Sequence, residues 1–155
     1  MELHELVLPE AVLPALKVSS KKQALEALAA KAAELTGLGE RDIFETLLGR
    51  ERLGTTGVGQ GVAIPHGKLD GLDRVWGVFA RLDQPIDFDS IDEQPVDLVF
   101  LLLAPTGAGA DHLKALARVS RLLRNKVVCA KIRGSRDADA IHALLTESSA
   151  ASNAA

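Results

Sequence analysis

A histidine in the middle of the chain is the side chain best placed for chemistry. His66 stands between Pro65, which stiffens the backbone on one side, and Gly67, which leaves the backbone uncrowded on the other. A neutral imidazole is a competent nucleophile near pH 7, because its unperturbed pKa is about 6.5, and a backbone carbonyl can orient its second ring nitrogen. Such a side chain can accept a phosphoryl group without a metal ion. We therefore take His66 as the first candidate for a reactive residue.

Groups suited to a phosphoryl group stand close to His66 in the sequence. Phosphoryl transfer needs positioning, and it needs cations or N–H donors around the oxygens of the transferred group. We take two cations, two hydroxyls and one glycine as candidate binding groups: Arg50, Thr55, Thr56, Gly67 and Lys68. The glycine-rich segment 54–61 adds backbone that can approach a ligand closely. Arg50 could instead complement the end of a helix, and Lys68 could be an ordinary solvated side chain.

A second histidine, His112, is predicted to lie in the first turn of a helix that Asp111 can cap. The N–H groups and positive dipole at a helix start favour an anion and disfavour an imidazolium, so a neutral His112 could hydrogen-bond a phosphoryl oxygen. A solvated first-turn residue or a partner in capping is the alternative. We expect the two other histidines at the surface, with His4 in an N-terminal strand region and His142 on the last helix.

No cofactor or metal site is predicted. The glycines of 57–61 are spaced G-x-G-x-G, which is wrong for the dinucleotide pattern G-x-G-x-x-G, and a predicted strand follows them instead of a helix. His66, His112 and Asp111 could in principle bind zinc, but the sequence has no H-x-x-x-H pair, and Cys129 is its single cysteine. We interpret Cys129 as a buried, inert thiol.

Alternating helical and strand patterns predict an α/β fold. A nearly continuous apolar run at 96–103 suits a strand buried on both faces, at the centre of a sheet. Segment 125–132 could be a strand or a short helix capped by Asn125, and we favour the helix. The other predicted elements are helices over 19–36, 40–50 and 111–124, a last helix that Ser135 or Asp137 opens and that runs to about Glu147, strands over 62–64 and 75–82, and a loop over 54–61.

Length and composition predict one domain. The 155 residues are 47% hydrophobic and 25% charged, as in an ordinary globular domain. We assign residues 1–147 to it and expect 148–155, which are small and polar, to form a flexible tail.

Charge and hydropathy argue against nucleic-acid binding and against insertion into a membrane. The net charge is −3 and no long basic run is present, so nucleic acid is not an expected partner. No segment approaches the roughly 18 apolar residues of a membrane span, and the N-terminus, with Glu2, His4 and Glu5, is unlike a signal peptide. We expect a cytoplasmic protein that does not insert into membranes.

One long motif resembles a known family. Residues 50–68 read RERLGTTGVGQGVAIPHGK, followed by PIDF at 85–88, QPVDL at 94–98 and HL at 112–113. These segments resemble the IIA components of the bacterial phosphoenolpyruvate-dependent phosphotransferase system, of the fructose, mannitol and nitrogen-regulatory type. The resemblance covers about residues 5–147 and is strongest to the nitrogen-regulatory branch, because the chain reads GVAIPHGK at 61–68 and carries no other transport component.

The resemblance implies roles and a fold that composition and spacing do not show. It implies that His66 is phosphorylated, that Arg50 faces the phosphoryl group, and that His112 orients or stabilises it. It also implies a mixed central β-sheet flanked by helices on both faces, with His66 in a shallow depression at the sheet edge where a small phosphocarrier protein docks. No cofactor is implied.

Three functions remain open at this point. The first is a regulatory phosphoryl carrier that accepts phosphoryl from a histidine phosphocarrier protein of the HPr type and controls nitrogen- and potassium-related targets, such as potassium transport proteins or sensor kinases. The second is a sugar-specific IIA transport component, which would pass phosphoryl to a IIB domain. The third is an interaction module that binds its targets regardless of phosphorylation.

Overall fold

The computed structural model describes residues 2–154, and their side chains as far as Glu147. Over this range the chain forms six strands, six α-helices and one 3-10 helix. The strands are Val12–Leu16 (β1), Gly57–Gly59 (β2), Val62–Ala63 (β3), His66–Leu69 (β4), Trp76–Ile86 (β5) and Val96–Pro105 (β6). The α-helices are Leu3–Leu6 (α1), Lys21–Thr36 (α2), Glu40–Arg52 (α3), Gly109–Leu123 (α4), Lys126–Arg133 (α5) and Ala138–Ala154 (α6), and the 3-10 helix is Pro9–Ala11.

The six strands form one mixed sheet centred on β6. Strand β5 is antiparallel to β6, β3 and β4 are both parallel to it, β1 is parallel to β5, and β2 is antiparallel to β3. Residues 98–104 of β6 are all buried, as the continuous apolar run predicts for a central strand. The predicted α/β fold with a mixed sheet is confirmed.

Strand β2 lies within the segment 54–61 that was predicted to be a loop. Strand β4, which carries His66, was not predicted either. The chain pairs with β6 at Val62 and Ala63, breaks at Ile64 and Pro65, and pairs again from His66, which lies opposite Leu102. Proline has no N–H to donate, so the ladder cannot run through it as an ordinary pair. Its carbonyl still accepts from the Leu102 N–H at 3.0 Å, which keeps the two short strands on one line.

Helices cover both faces of the sheet, as the resemblance implies. Successive residues of a strand point to opposite faces. A Cβ on Gly67 would lie 2.7 Å from Thr46 Cγ2 of α3, whereas the ring of the preceding His66 contacts the ring of His112 on α4. Helices α3 and α4 therefore lie on opposite sides of β4, and the edge of the sheet opens between them.

Most predicted helices are present, with one change at a start. The Asn125 side chain accepts hydrogen bonds from Val127 N and Val128 N, so α5 is a capped helix and not a strand. Helix α4 begins two residues before Asp111, and Ala108 occupies its N-cap position. The prediction that Asp111 caps α4 is therefore wrong, but His112 does lie in the first turn.

Two predictions about the termini have different outcomes. His4 is exposed as expected, but it lies on α1 and not on a strand, because Glu2 and Glu5 form a capping box that starts a short helix. His142 is half-buried, with Nε2 at 2.9 Å from the Val7 carbonyl oxygen, so it is not a surface residue. The predicted flexible tail at 148–155 falls outside the described side chains and stays a prediction.

The described helices include no candidate for a membrane span, since none of them is both long and apolar enough to cross a bilayer.

Candidate functional site

The ring of His66 is held in one orientation at the start of β4. Its Nδ1 lies 2.9 Å from the carbonyl oxygen of Ile64. A carbonyl oxygen can only accept a hydrogen bond, so in the neutral ring the proton is on Nδ1 and the lone pair is on Nε2. Since His66 is only half-buried, the geometry presents a basic, unprotonated nitrogen that a partner can reach.

A groove of about 550 Å³ opens beside His66, between α3 and α4. Helix α3 and the residue after it supply Arg50 and Leu53, and α4 supplies His112 and Leu113. Gly67 and Lys68 of β4 also line the groove. The structure therefore brings together five predicted site residues that are up to 62 positions apart in sequence: Arg50, His66, Gly67, Lys68 and His112.

His112 is a buried neighbour of His66. It is 5% exposed, and its ring meets that of His66 edge-to-face, with the centroids 5.4 Å apart and the planes at 84°. Burial lowers the pKa of His112, and the positive charges that His66 and Lys68 can carry lower it further. His112 Nδ1 has no hydrogen-bond partner in the described part of the chain. A neutral imidazole beside His66 can donate one N–H to an incoming anion without repelling a cationic neighbour.

The two cations of the groove differ in how firmly they are held. Arg50 lies in the last turn of α3, where its Nη1 donates to the Gly54 carbonyl oxygen at 2.9 Å. A guanidinium has five N–H donors, so this bond fixes the group and leaves donors for a ligand. Lys68 is exposed and lies two residues after His66 on β4, so it shares a face of the sheet with His66. The Arg50 guanidinium is therefore held in place by a hydrogen bond, whereas the Lys68 side chain is exposed.

Gly67 is required by the approach of α3 to β4. A Cβ at this position would lie 2.7 Å from Thr46 Cγ2, which is closer than side-chain carbons approach in folded proteins. The absence of a side chain thus lets α3 pack beside the strand that carries His66. Gly67 lines the groove through its backbone.

Thr55 and Thr56 do not line the groove as their sequence position suggested. The Thr55 hydroxyl donates to the Phe88 carbonyl oxygen at 2.8 Å and accepts from Gly57 N at 3.0 Å. Thr56 is 4% exposed, and both its N–H and its hydroxyl donate to the carboxylate of Glu51. These hydroxyls hold the loop in place, so the structure does not bring them together with the other predicted binding groups.

Sequence reasoning missed three residues around the site. Leu53 and Leu113 flank the groove and are 85% and 69% exposed, which is unusual for leucine side chains so near a polar site. Their hydrophobicity alone predicted burial, so no sequence signal could have separated them from core leucines. Glu51, the third of them, is 7% exposed. Two apolar side chains beside a nucleophile suit contact with a protein surface.

No metal cluster accompanies this groove. Among the side chains that the structure describes, as far as Glu147, no three of His, Cys, Asp or Glu come together closely enough to hold a metal ion. The described groups at His66 are instead two cations and a neutral imidazole around an unprotonated nitrogen. This combination suits an anionic group that is transferred to histidine.

Comparisons with known proteins agree with a protein that carries an anionic group on histidine. The family model for "Phosphoenolpyruvate-dependent sugar phosphotransferase system, EIIA 2" matches residues 5–148. The chain is 70% identical over 145 residues to the "Nitrogen regulatory protein" of Bradyrhizobium diazoefficiens, covering 94% of this chain and 95% of that protein. It is 36% identical over 130 residues to the "PTS system fructose-specific EIIA component" of Haloferax volcanii, covering 83% of this chain and 84% of that protein.

A solved structure shows the same fold. The crystal structure of nitrogen regulatory protein IIA-Ntr from Neisseria meningitidis superposes with a TM-score of 0.88 at 35% identity, and the match covers 93% of this chain and 99% of that one. The chain therefore belongs to the EIIA 2 family of the phosphoenolpyruvate-dependent phosphotransferase system. The resemblance found in the sequence is confirmed, including the likeness to its nitrogen-regulatory members.

Proposed function

We propose that the protein is a regulatory phosphoryl carrier that accepts a phosphoryl group on Nε2 of His66 from a histidine phosphocarrier protein of the HPr type. The observation that carries this proposal is the 2.9 Å contact between His66 Nδ1 and the Ile64 carbonyl, which leaves Nε2 unprotonated. Family membership supports the same chemistry. The protein is then a phosphotransferase whose intermediate is its own phosphohistidine.

The transfer exchanges one nitrogen–phosphorus bond for another. The lone pair on His66 Nε2 attacks phosphorus of the donor phosphohistidine, and the electron pair of the donor bond returns to the donor ring. The proton on Nδ1 stays in its bond to Ile64 throughout. No metal ion is needed in this scheme, because the groove supplies the positive charge and N–H donors.

Three side chains stabilise the transferred group in this proposal. The fixed guanidinium of Arg50 and the ammonium of Lys68 neutralise charge that spreads over the phosphoryl oxygens. The lowered pKa of His112 keeps its ring neutral near pH 7, so that it donates one N–H to a phosphoryl oxygen without opposing the cations. All three line the groove with His66.

The docking face supports a protein donor in preference to a small metabolite. Leu53 and Leu113 stand on either side of His66 and present apolar surface to solvent. An apolar centre beside a charged pocket is the usual anatomy of a protein interface. In this proposal the two leucines contact the donor while its phosphohistidine enters the groove.

Regulation follows from the charge that phosphorylation adds to this face. A phosphoryl group brings about −1.5 to −2 charges and three acceptor oxygens at pH 7. Added between Leu53 and Leu113, that charge changes which partners the face can bind. The nitrogen regulatory names of the relatives support nitrogen-related targets. Potassium transport proteins, sensor kinases and a cytoplasmic location are further parts of this proposal.

Intact-protein mass spectrometry tests the carrier and its residue together. The protein is incubated with phosphoenolpyruvate, the first enzyme of the system and a histidine phosphocarrier. We expect the wild type to gain one acid-labile phosphoryl group, His66→Ala to gain none, and the exposed His4→Ala control to behave as the wild type. Labelling of His66→Ala to the wild-type level would overturn the assignment of His66.

A sugar-transport role is the second candidate, because the fructose-specific relative is also spanned almost from end to end by this chain. It differs in the acceptor: phosphorylated protein would pass its group to a sugar-specific IIB domain. A rapid and complete transfer of the label to a fructose-type IIB domain, with no loss of label in buffer alone, would favour transport. Retention of the label in its presence would favour regulation.

A further inference from the structure

A largely buried ion pair, Lys21–Glu51, lies next to the groove. The proposed transfer gives it no role. Glu51 is the residue after Arg50, and its side chain is 3% exposed. Its Oε1 lies 3.0 Å from Lys21 Nζ, which comes from the first turn of α2 and is itself 19% exposed. A buried ion pair adds little net stability, because desolvation cancels much of its attraction, and its best-attested use is to fix one geometry.

The geometry that Glu51 fixes is that of Thr56. Thr56 N donates to Glu51 Oε1 at 3.0 Å, and the Thr56 hydroxyl donates to Oε2 at 2.5 Å. Both oxygens of the carboxylate are thereby used on one residue of the glycine-rich loop. Bonds to a charged, buried acceptor are shorter and stronger than neutral ones, so this end of the loop is anchored.

The anchored loop in turn holds the ring of His66. The Thr56 carbonyl accepts from Ile64 N at 3.0 Å, and the Ile64 carbonyl accepts from His66 Nδ1 at 2.9 Å. An unbroken series of hydrogen bonds thus runs from the Lys21–Glu51 pair to the nucleophile. A displacement of Thr56 moves Ile64, and a displaced Ile64 releases the proton-bearing side of the ring.

A second branch leads from the same residue to Arg50. The carbonyl oxygen of Glu51 accepts from Gly54 N at 3.1 Å, and the Gly54 carbonyl accepts from Arg50 Nη1 at 2.9 Å. This branch uses only the main chain of residue 51, so the turn against which the Arg50 guanidinium rests does not depend on the Glu51 carboxylate.

We propose that Glu51, paired with Lys21 and bonded to Thr56, is a positioning residue that fixes the Nδ1–H form of His66. The expected change in transfer rate rests on the proposed function, whereas the expected change in the His66 ring does not. Misplacing a reacting group by about 1 Å costs on the order of 10²-fold in rate. Glu51→Gln keeps the size of the side chain but loses the charge and one acceptor, so we expect phosphoryl acceptance to slow by about 10- to 100-fold at saturating donor.

Ring nitrogen NMR of His66 gives a readout that a merely structural role would not move. The two ring nitrogens are distinguished by their chemical shifts and couplings, measured well above the ordinary imidazole pKa of about 6.5. We expect wild-type His66 to be protonated on Nδ1, and Glu51→Gln to give a mixture of Nδ1–H and Nε2–H forms. A wild-type ring signature together with a wild-type transfer rate in Glu51→Gln would overturn the proposal.

A matched variant at Asp83 separates the positioning role of Glu51 from a general effect on stability. Asp83 is a carboxylate 15% exposed on β5, with Arg81 Nη1 at 3.3 Å and Arg136 Nη2 at 2.9 Å, and β6 separates it from β4. Asp83→Asn should lower stability without changing the His66 ring or the transfer rate. An equal change of the His66 ring in Asp83→Asn would show a general loosening and overturn a specific role for Glu51.

A milder pair keeps the test decisive if Glu51→Gln does not fold. Thr56→Val removes only the hydroxyl bond, and Thr56→Ser keeps it, so Thr56→Val should show a smaller shift of the His66 ring that Thr56→Ser restores. Equal ring spectra for Thr56→Val and the wild type would contradict the proposal. Because the ring is observed before any phosphorylation, this result stands whether or not the protein accepts phosphoryl, and the two proposals fail separately.

Discussion

Carboxylates hold both ends of the glycine-rich loop. Glu51 at the start is connected by hydrogen bonds to His66, whereas Asp92, whose Oδ2 accepts from Gln60 N at 2.9 Å, and Asp97 act at the other end. Glu51 is buried and anchors the start of the loop through Thr56. Asp97 is 24% exposed and pairs with Arg133, whose Nη2 also donates to the Gln60 carbonyl oxygen at 3.0 Å, at the other end of the loop. Hydrogen bonds connect the start of the loop to His66, whereas Arg133 connects its end to α5.

The difference shows that two ion pairs that hold the same loop can serve different purposes. We call the Lys21–Glu51 and Asp97–Arg133 pairs the two clamps of the loop. The partly exposed Asp97–Arg133 pair fixes a turn and can be loosened at modest cost, since ion pairs open to solvent contribute about 0–1 kcal/mol. The buried pair has a desolvation cost that stability alone does not justify. We therefore expect changes at the start of the loop to act on chemistry and changes at its end to act on folding.

The largest effect is expected at Arg50, next to the buried carboxylate. Arg50→Ala removes a fixed cation from the groove, and loss of one such stabilising group costs about 10²- to 10³-fold in rate. The measurement is rapid-quench transfer from the phosphorylated carrier, and the exposed Arg52→Ala on the same helix is the control. An unchanged rate in Arg50→Ala would reduce Arg50 to a residue that caps α3.

Gly67→Ala is expected to destabilise the fold at the strand that carries His66. The new Cβ would lie 2.7 Å from Thr46 Cγ2, and overpacking of this kind costs about 1–3 kcal/mol. Thr46→Ser removes that methyl group and should recover part of the loss in the double variant. Urea unfolding of both single variants and the double variant measures the coupling, and simple additivity would contradict the contact.

Asp97→Asn tests the other end of the loop. We expect the free energy of unfolding to fall by about 1 kcal/mol, because the Arg133 pair is only partly shielded from solvent. The rate of phosphoryl acceptance should stay within about twofold of the wild type, since Asp97 is not joined to the series of bonds that ends at His66. A loss of rate as large as that of Glu51→Gln would abolish the contrast between the two clamps.

The smallest effect is expected from the titration of His112. Its pKa is lowered in the folded state, mainly by burial, so the unfolded chain binds more protons as the pH falls below about 6.5. Its neutral form therefore stabilises the fold fully above that pH, and the contribution is lost as the pH falls towards the folded-state pKa. Urea midpoints at two pH values should show a steeper loss in the wild type than in His112→Gln. Identical slopes would mean that His112 is not buried in its neutral form.

Much of the site could be predicted from the sequence because its groups lie close together or in a marked pattern. His66 between proline and glycine and the cation Arg50 needed only their neighbours, and His112 needed a helix start. Thr55 and Thr56 were interpreted as binding groups because they stand in the same loop. The structure shows their hydroxyls turned to Phe88 and Glu51, a choice between partners up to 33 residues apart that local sequence does not encode.

Periodicity and residue chemistry determined the helices, the buried central strand and the choice of His66 as the candidate nucleophile, since each depends on side chains within a few turns of one another. Tertiary structure decided which groups surround that nucleophile. The parallel pairing of β4 with β6 places His66 between α3 and α4, so His112 is buried against it, and the Lys21–Glu51 pair from two helices fixes the loop that holds the ring. These contacts form only when distant segments pack, because burial and hydrogen-bond direction are set by the folded chain as a whole.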